Sequence, residues 1–125
     1  MNENKILALF DQWNNALKTK VSKNVVALYA DDAVLLPTIS NNVCHNHEEM
    51  KTYFTNFLTR EPIGEINETN ISIFNGIAMN SEIYTFSFKD GPKVKARFTF
   101  VYQRKVNGWK IIKHHSSQMP ESTFI

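Results

Sequence analysis

The chain has 125 residues, 42% of them hydrophobic and 21% charged, with a formal net charge of +2. That length suits one domain, spanning 1–125, with one sizeable core, and the near-balanced charge gives no footing for a nucleic-acid partner or an anionic membrane surface. Cys44 is the single cysteine, which excludes an internal disulfide and a multi-cysteine zinc site, while nine Phe, four Tyr and two Trp predict an aromatic core.

Met1-Asn2-Glu3-Asn4-Lys5 lacks the apolar run of a signal peptide, and no stretch approaches the roughly 18 apolar residues that span a bilayer. The expectation is a cytoplasmic protein. From residue 3 to about 19, Ile6, Leu9, Phe10, Trp13, Ala16 and Leu17 recur at three- and four-residue spacing, which puts them on one helix face. Asp11, Gln12, Asn14, Asn15 and Lys18 fall mostly on the opposite, wet face. Ser22 is placed to cap a second, shorter helix through about Tyr29, ended by Ala30-Asp31-Asp32. Ala33-Val34-Leu35-Leu36, stopped by Pro37, reads as a brief buried strand. A polar loop over residues 39–46 follows. Asn46 then caps a third helix, with Glu49 three residues on and Met50, Tyr53, Phe54, Phe57 and Leu58 as its apolar stripe.

After Gly64 the hydrophobic period changes from 3.6 to 2. Ile66–Phe74, Ile77–Phe88, Val94–Gln103 and Trp109–Ser117 are four long strands, separated by Asn75-Gly76, Asp90-Gly91-Pro92 and Asn107-Gly108 turns. Gln118 to Ile125 is a short, partly polar tail. Helices first and strands last predict an α+β fold: three N-terminal helices packed on a curved, mainly antiparallel sheet. Ala96, Phe98, Phe100 and Tyr102 point one way and Arg97, Thr99 and Val101 the other. In the last strand, Ile112, His114 and Ser116 alternate with Trp109, Ile111, Lys113 and His115. Neither face is cleanly polar, so a second copy of the chain is expected to cover the outer one, as a homodimer or a higher oligomer.

Several segments together resemble the nuclear-transport-factor-2-like (NTF2-like) superfamily, in which a curved sheet wraps helices into a cone with a pocket. They are Trp13 with Ala16-Leu17, Leu28-Tyr29-Ala30-Asp31-Asp32-Ala33 with Pro37-Thr38, Tyr53-Phe54-Thr55-Asn56-Phe57, Ala96 to Tyr102, and Gly108-Trp109-Lys110-Ile111-Ile112 through His115-Ser116-Ser117 to Met119-Pro120. More narrowly, the chain is similar to the association (hub) domain of calcium/calmodulin-dependent protein kinase II and to its small bacterial relatives of SgcJ/EcaC and SnoaL type. The resemblance implies a small-molecule pocket and assembly through the sheet. Hub domains hold acidic small molecules with arginines; the matching positions here are Tyr84, Phe100 and Ser116, none of them basic. Steroid-isomerase relatives place a catalytic Asp just before the matching proline, where this chain has Leu35-Leu36-Pro37, and a Leu cannot abstract a proton.

The candidate ligand-binding residues are Trp13, Tyr53, Tyr84, Phe86, Arg97, Phe98, Phe100, Tyr102, His114 and Ser116, around a small molecule of unknown identity. His114 has two readings: acid–base catalyst, or hydrogen-bonded structural histidine. Arg97 likewise suits either an anion or an interface ion pair. His45 and His47 have metal-ligand spacing without a third ligand, so no metal is expected, and no motif calls for a cofactor. Two functions compete. One is a homodimeric small-molecule-binding and oligomerisation domain without catalysis. The other is a lyase, isomerase or hydrolase acting on a polyketide-like substrate through His114.

Overall fold

The computed structural model describes residues 2–38 and 40–121; Ile39 of the polar loop and residues 122–125 of the expected tail lie outside the described residues. Helix α1 (Glu3–Lys18) opens on Asn2, whose side-chain oxygen accepts the Lys5 backbone N–H at 3.0 Å. Ile6, Phe10, Trp13 and Leu17 are its buried residues, as the periodicity predicts.

Helix α2 (Ser22–Val26) is shorter than expected, and Ser22 lies inside it rather than capping it; Val21 holds the cap position with no side-chain bond. Strand β1 (Tyr29–Leu36) begins where the helix was expected to continue, and it pairs in parallel with β5 (Gly108–Gln118). The reason is Tyr29. Its side chain is buried and hydrogen-bonded across to α1 and β5, and the Ile111 N–H is given to the Leu28 carbonyl at 3.0 Å. Those bonds need an extended backbone at Tyr29. Asp31 and Asp32 therefore do not end a helix. They are exposed inside β1, where the pairing register shifts between Tyr29 and Val34.

Helix α3 (His47–Leu58) has the expected Asn46 cap, with Asn46 Oδ1 accepting the Glu49 N–H at 2.9 Å. The Glu49 carboxylate reaches back to the His45 N–H at 2.7 Å, one residue earlier than a capping box would place it. Strands β2 (Ile63–Phe74), β3 (Ile77–Ser87), β4 (Lys93–Lys105) and β5 form the antiparallel meander, and the sheet order is β1-β5-β4-β3-β2. Gly76 and Gly108 adopt φ of +75° and +108° in the two Asn-Gly turns, a region open to glycine at no steric cost.

One face of the sheet takes the helices. Phe10 stacks on Phe98 with centroids 5.7 Å apart, and Trp13 meets Phe86 and Phe100 at 6.1 and 5.5 Å. On that face β3 presents Ala78, Asn80, Glu82, Tyr84 and Phe86, all buried. Simple alternation in β5 fails at one place. Tyr102 pairs with Ile111 but Val101 pairs with Lys113, so Ile112 is an extra residue. Through this bulge Ile111, not Ile112, is buried alongside His114, which corrects the alternation read from the sequence.

Asn14 is a second correction. It was expected on the wet face, yet it is half-buried and clamps α1 to the start of β2. Its Nδ2 donates to the Gly64 carbonyl at 2.9 Å, and its Oδ1 accepts the Gly64 N–H at 3.0 Å. A methyl group at Gly64 would come within 3.3 Å of both Asn14 Oδ1 and the Phe86 ring, so any larger residue has to push the clamp or the ring aside by a few tenths of an ångström. Asn14→Ala strands two backbone groups of a buried glycine. We expect a loss of about 2 kcal/mol, read as a lower urea midpoint at unchanged slope. The exposed neighbour change Asn15→Ala should fall within about 0.5 kcal/mol of wild type.

Candidate functional site

Between α1, α3 and the inner face of the sheet lies a cavity of about 30 Å³. Trp13, Tyr53, Phe54, Phe57, Tyr84 and Phe86 form its aromatic walls, and Thr38, His114 and Ser116 are its polar fixtures. Thr38, Tyr53, Phe57 and Val94 are the half-exposed members of the lining, so they make its rim. Tyr53 and Phe57, one helical turn apart on α3, stack at 5.7 Å with planes 13° apart.

Six of the sequence-derived candidates meet in this lining: Trp13, Tyr53, Tyr84, Phe86, His114 and Ser116. Four do not. Phe98, Phe100 and Tyr102 are on the same face but packed solid beneath α1 and around His114, with Phe100 only 4.2 Å from the imidazole, centroid to centroid. Arg97 is on the other face of the sheet, because β4 alternates and Ala96 and Phe98 take the inward positions. It lines an outer groove of about 410 Å³ with Glu68, Asn70, Ser81, Thr99, His115 and Ser117. Arg97 therefore cannot stabilise an anion inside the cone.

The polar fixtures form two hydrogen-bond chains. In the first, Trp13 Nε1–H donates to the Tyr29 hydroxyl at 3.2 Å, and that hydroxyl lies 2.8 Å from His114 Nδ1. An indole nitrogen only donates, and a phenol oxygen can accept twice, so the count of unpartnered groups decides the order. Were Nδ1–H to donate to Tyr29, the buried Tyr29 proton and a bare Nε2 would both lack partners among the described residues, whereas Tyr29 donating to Nδ1 leaves one such group. The favoured order puts the ring proton of His114 on Nε2. That nitrogen is buried and has no hydrogen-bond partner among the described residues. Burial, reinforced by neighbouring His115, pushes the His114 pKa down to about 3, so the ring is neutral at physiological pH. An acid–base role does not follow: one ring nitrogen is engaged as acceptor and the other already holds its proton. What the arrangement does provide is a fixed, uncharged donor.

In the second chain, Tyr84 OH lies 2.7 Å from Ser116 Oγ, which is bonded in turn to the Thr38 hydroxyl at the rim. Burial raises the Tyr84 pKa to about 12, against the lowering pull of its Ser116 and Thr38 bonds. The phenol stays protonated and neutral.

Sequence reasoning missed three features. Tyr29 was assigned to a helix face, although its place beside the first tryptophan's reach becomes visible only once β1 pairs with β5. Thr38 entered only with Pro37 as part of the resemblance. The third is a buried pair on β3, Asn80 and Glu82, joined by a hydrogen bond from Asn80 Nδ2 to Glu82 Oε2. Their signal was the even-numbered alternation Ala78-Asn80-Glu82-Tyr84-Phe86, which commits both to the apolar side. Burial first, and the charge of Asp11 second, lift the Glu82 pKa to about 8, despite the opposing Asn80 bond.

The remaining candidates are separate. His45 bonds to the Glu49 carboxylate at 3.2 Å, whereas His47 Nε2 donates to the Tyr29 and Ala30 carbonyls at 2.8 and 3.1 Å. Among the described residues no group of three His, Cys, Asp or Glu side chains is placed to hold a metal. Cys44 is buried in a backbone bridge with Leu35, and burial raises its thiol pKa, with Glu49 adding to the effect. No helix among the described residues is long and apolar enough to cross a membrane.

Helices laid across a curved five-stranded sheet, with an aromatic cavity at the join, define the NTF2-like, cystatin-like class of fold, and the comparisons agree. An NTF2-like protein of unknown function from Pseudomonas putida KT2440 superposes with TM-score 0.83 at 19% identity, covering 98% of this chain and 89% of that one. A candidate dehydratase of the NTF2-like family from Streptomyces avermitilis gives TM-score 0.80 at 14% identity, covering 94% and 96%. At those identities the likeness concerns the fold alone. A structure from Xanthomonas campestris, described as a candidate calcium/calmodulin dependent protein kinase II association domain, reaches TM-score 0.93 at 43% identity, covering 98% of this chain and 91% of that one. The family model of the calcium/calmodulin dependent protein kinase II association domain matches residues 2–120. No curated protein matches the sequence. The chain belongs to the calcium/calmodulin dependent protein kinase II association domain family.

Two buried titratable groups set opposite limits on stability. His114, ordinarily near 6.5 and held at about 3, stabilises the fold fully above pH 6.5, and that contribution is lost as pH falls toward 3. Glu82, ordinarily near 4.5 and raised to about 8, contributes fully below pH 4.5 and loses its contribution as pH rises through 8. Urea melts from pH 3 to 9 should show a plateau where the two slopes cancel, with decline on both sides. Glu82→Gln should remove the alkaline decline and leave the acid one intact.

Proposed function

We propose that this chain is a homodimeric binding and oligomerisation domain that carries no catalysis of its own and holds a small, largely apolar molecule inside its cone. The observation that carries the reading is the cavity itself: aromatic on its walls, with one buried, unpartnered nitrogen, His114 Nε2. Small-molecule sites are apolar enclosures with a few fixed polar groups, and this one has that composition. The absence of a base in the lining supports the non-catalytic part. Among the described residues no carboxylate lines the cavity, the position just before Pro37 is Leu36, and His114 Nδ1, the ring's acceptor, is taken by Tyr29. The enzyme alternative draws on a structural neighbour described as a candidate dehydratase, at 14% identity. It finds no proton acceptor here.

The outer sheet face supports self-association. Ile77, Met79, Ile83 and Val101 are half-exposed there, and Phe74 is 58% exposed at the tip of the β2–β3 hairpin. Glu68 and Arg97 flank the groove on this face. Opposite charges on one face make it able to complement a second copy of itself, the property a two-fold interface needs. The reading includes a cytoplasmic location, in keeping with the single reduced thiol.

Light scattering at micromolar concentration is expected to give twice the chain mass or a multiple of it. Ile83→Asp, in the middle of the outer face, should yield a monomer with unchanged far-ultraviolet circular dichroism. A wild-type monomer would end the dimer reading.

A further inference from the structure

We propose that the cone receives an uncharged small molecule bearing a carbonyl oxygen, a ketone, aldehyde or amide, and that His114 Nε2–H is the donor that recognises it. This rests on the reading of the cavity as a binding site and adds the chemical class of the ligand.

Three observations converge. First, none of the residues lining the cavity carries a formal charge at neutral pH; the lining is aromatic and aliphatic apart from Thr38, Tyr84, His114 and Ser116. A carboxylate or an ammonium group taken in here would lose its hydration and meet no counter-charge, a cost of several kcal/mol by ordinary desolvation. Arg97, the nearest basic candidate in the sequence reading, is on the far side of the sheet. Second, the order along Trp13, Tyr29 and His114 that leaves the fewest buried groups unpartnered is a single one. The indole donates to the phenol, the phenol to Nδ1, and the imidazole is left with its N–H on Nε2. A buried donor without a partner calls for an acceptor. Third, the second chain also has a proton to give. Tyr84, Ser116 and Thr38 contribute three hydroxyl protons to two mutual hydrogen bonds, so one hydroxyl remains available to a guest. Both polar fixtures therefore offer protons in a setting that excludes charge. The chemistry that answers is a neutral carbonyl.

Size limits the guest as well. A cavity of about 30 Å³ accommodates a water or two, less than a phenyl ring needs. A ring enters only if the rim parts, and the stacked, half-exposed Tyr53 and Phe57 are the side chains placed to move.

The test uses three probes of one shape: acetophenone, ethylbenzene and benzoate. Uniformly ¹⁵N-labelled protein is first examined at pH 7 by long-range ¹H–¹⁵N correlation, which reports which His114 nitrogen bears the proton. The expected result is Nε2–H. Titration with each probe, followed at the cavity residues, should then show acetophenone binding about tenfold more tightly than ethylbenzene, the worth of one buried hydrogen bond. Acetophenone alone should shift the Nε2–H resonance, and benzoate should not enter. In His114→Phe the ketone's advantage over the hydrocarbon should fall to about twofold or less; should that variant fail to fold, the wild-type ratio and the proton position decide. A proton on Nδ1, a preference for benzoate, or equal binding of ketone and hydrocarbon overturns the inference. Equal binding leaves the cavity reading standing, whereas no response at the cavity from any probe brings both down.

Discussion

The Tyr29 hydroxyl is the junction on which the rest of the structure depends. It accepts from Trp13 of α1 and donates to His114 of β5, while its own backbone opens β1. One phenol thus ties a helix, an edge strand and the last strand of the meander. Its neighbours make the geometry rigid. Phe54 is 5.9 Å from its ring and the His114 imidazole 6.0 Å, and the imidazole is wedged among Trp13, Phe98 and Phe100. Hydrogen bonds enclosed by aromatic rings are shielded from water, which makes each stronger and each missing partner more costly. The same enclosure keeps the imidazole neutral, so one packing arrangement both builds the junction and holds His114 uncharged.

The interior holds two polar centres of different character. Around His114 and Ser116 each group but one finds a partner, and the exception borders a cavity. Around Asn80 and Glu82 the situation is less complete. Asn80 Oδ1, Glu82 Oε1 and the Tyr102 hydroxyl are all buried without partners among the described residues. No cation faces this group among the described ion pairs, and Asp11 adds negative charge. Holding the Glu82 proton is the physical response, since a neutral carboxyl costs far less to bury than an ionised one. This β3 centre is thus a weak point in an otherwise aromatic core.

Much of this was legible in the sequence, and the failures have physical causes. Helix faces were readable because Ile6, Phe10, Trp13 and Leu17 keep an unbroken spacing, and strand ends because Asn-Gly pairs admit positive φ. The inward set of β4 followed from Ala96, Phe98, Phe100 and Tyr102, and the same alternation should have removed Arg97 from the pocket list. What alternation cannot register is an inserted residue. Ile112 bulges, so Ile111 and His114, three apart, share a face. Nor can local pattern register a bond across 85 positions, such as Tyr29 to His114, which turned an expected helix end into a strand. Asn14 was misplaced for a related reason: its clamp partner, Gly64, is 50 residues away.

Membership of a kinase association-domain family says how the chain folds, and the cavity argues that a shared fold need not carry a shared ligand. A site that binds acids needs cations on the strands facing the pocket. Here those strands present Tyr84, Phe100 and Ser116, and the phenol and the hydroxyl bond to each other instead of waiting for an anion. Replacing a charge by a hydroxyl–phenol pair removes the need for a counter-ion, and it lets the aromatic walls close to a cavity of about 30 Å³. Arg97 lies on the outer face, where it lines a groove with Glu68 and stays apart from the cavity. Charge on the outer face and neutrality in the hollow are therefore two consequences of one strand alternation. A single residue shift in β4 would exchange them.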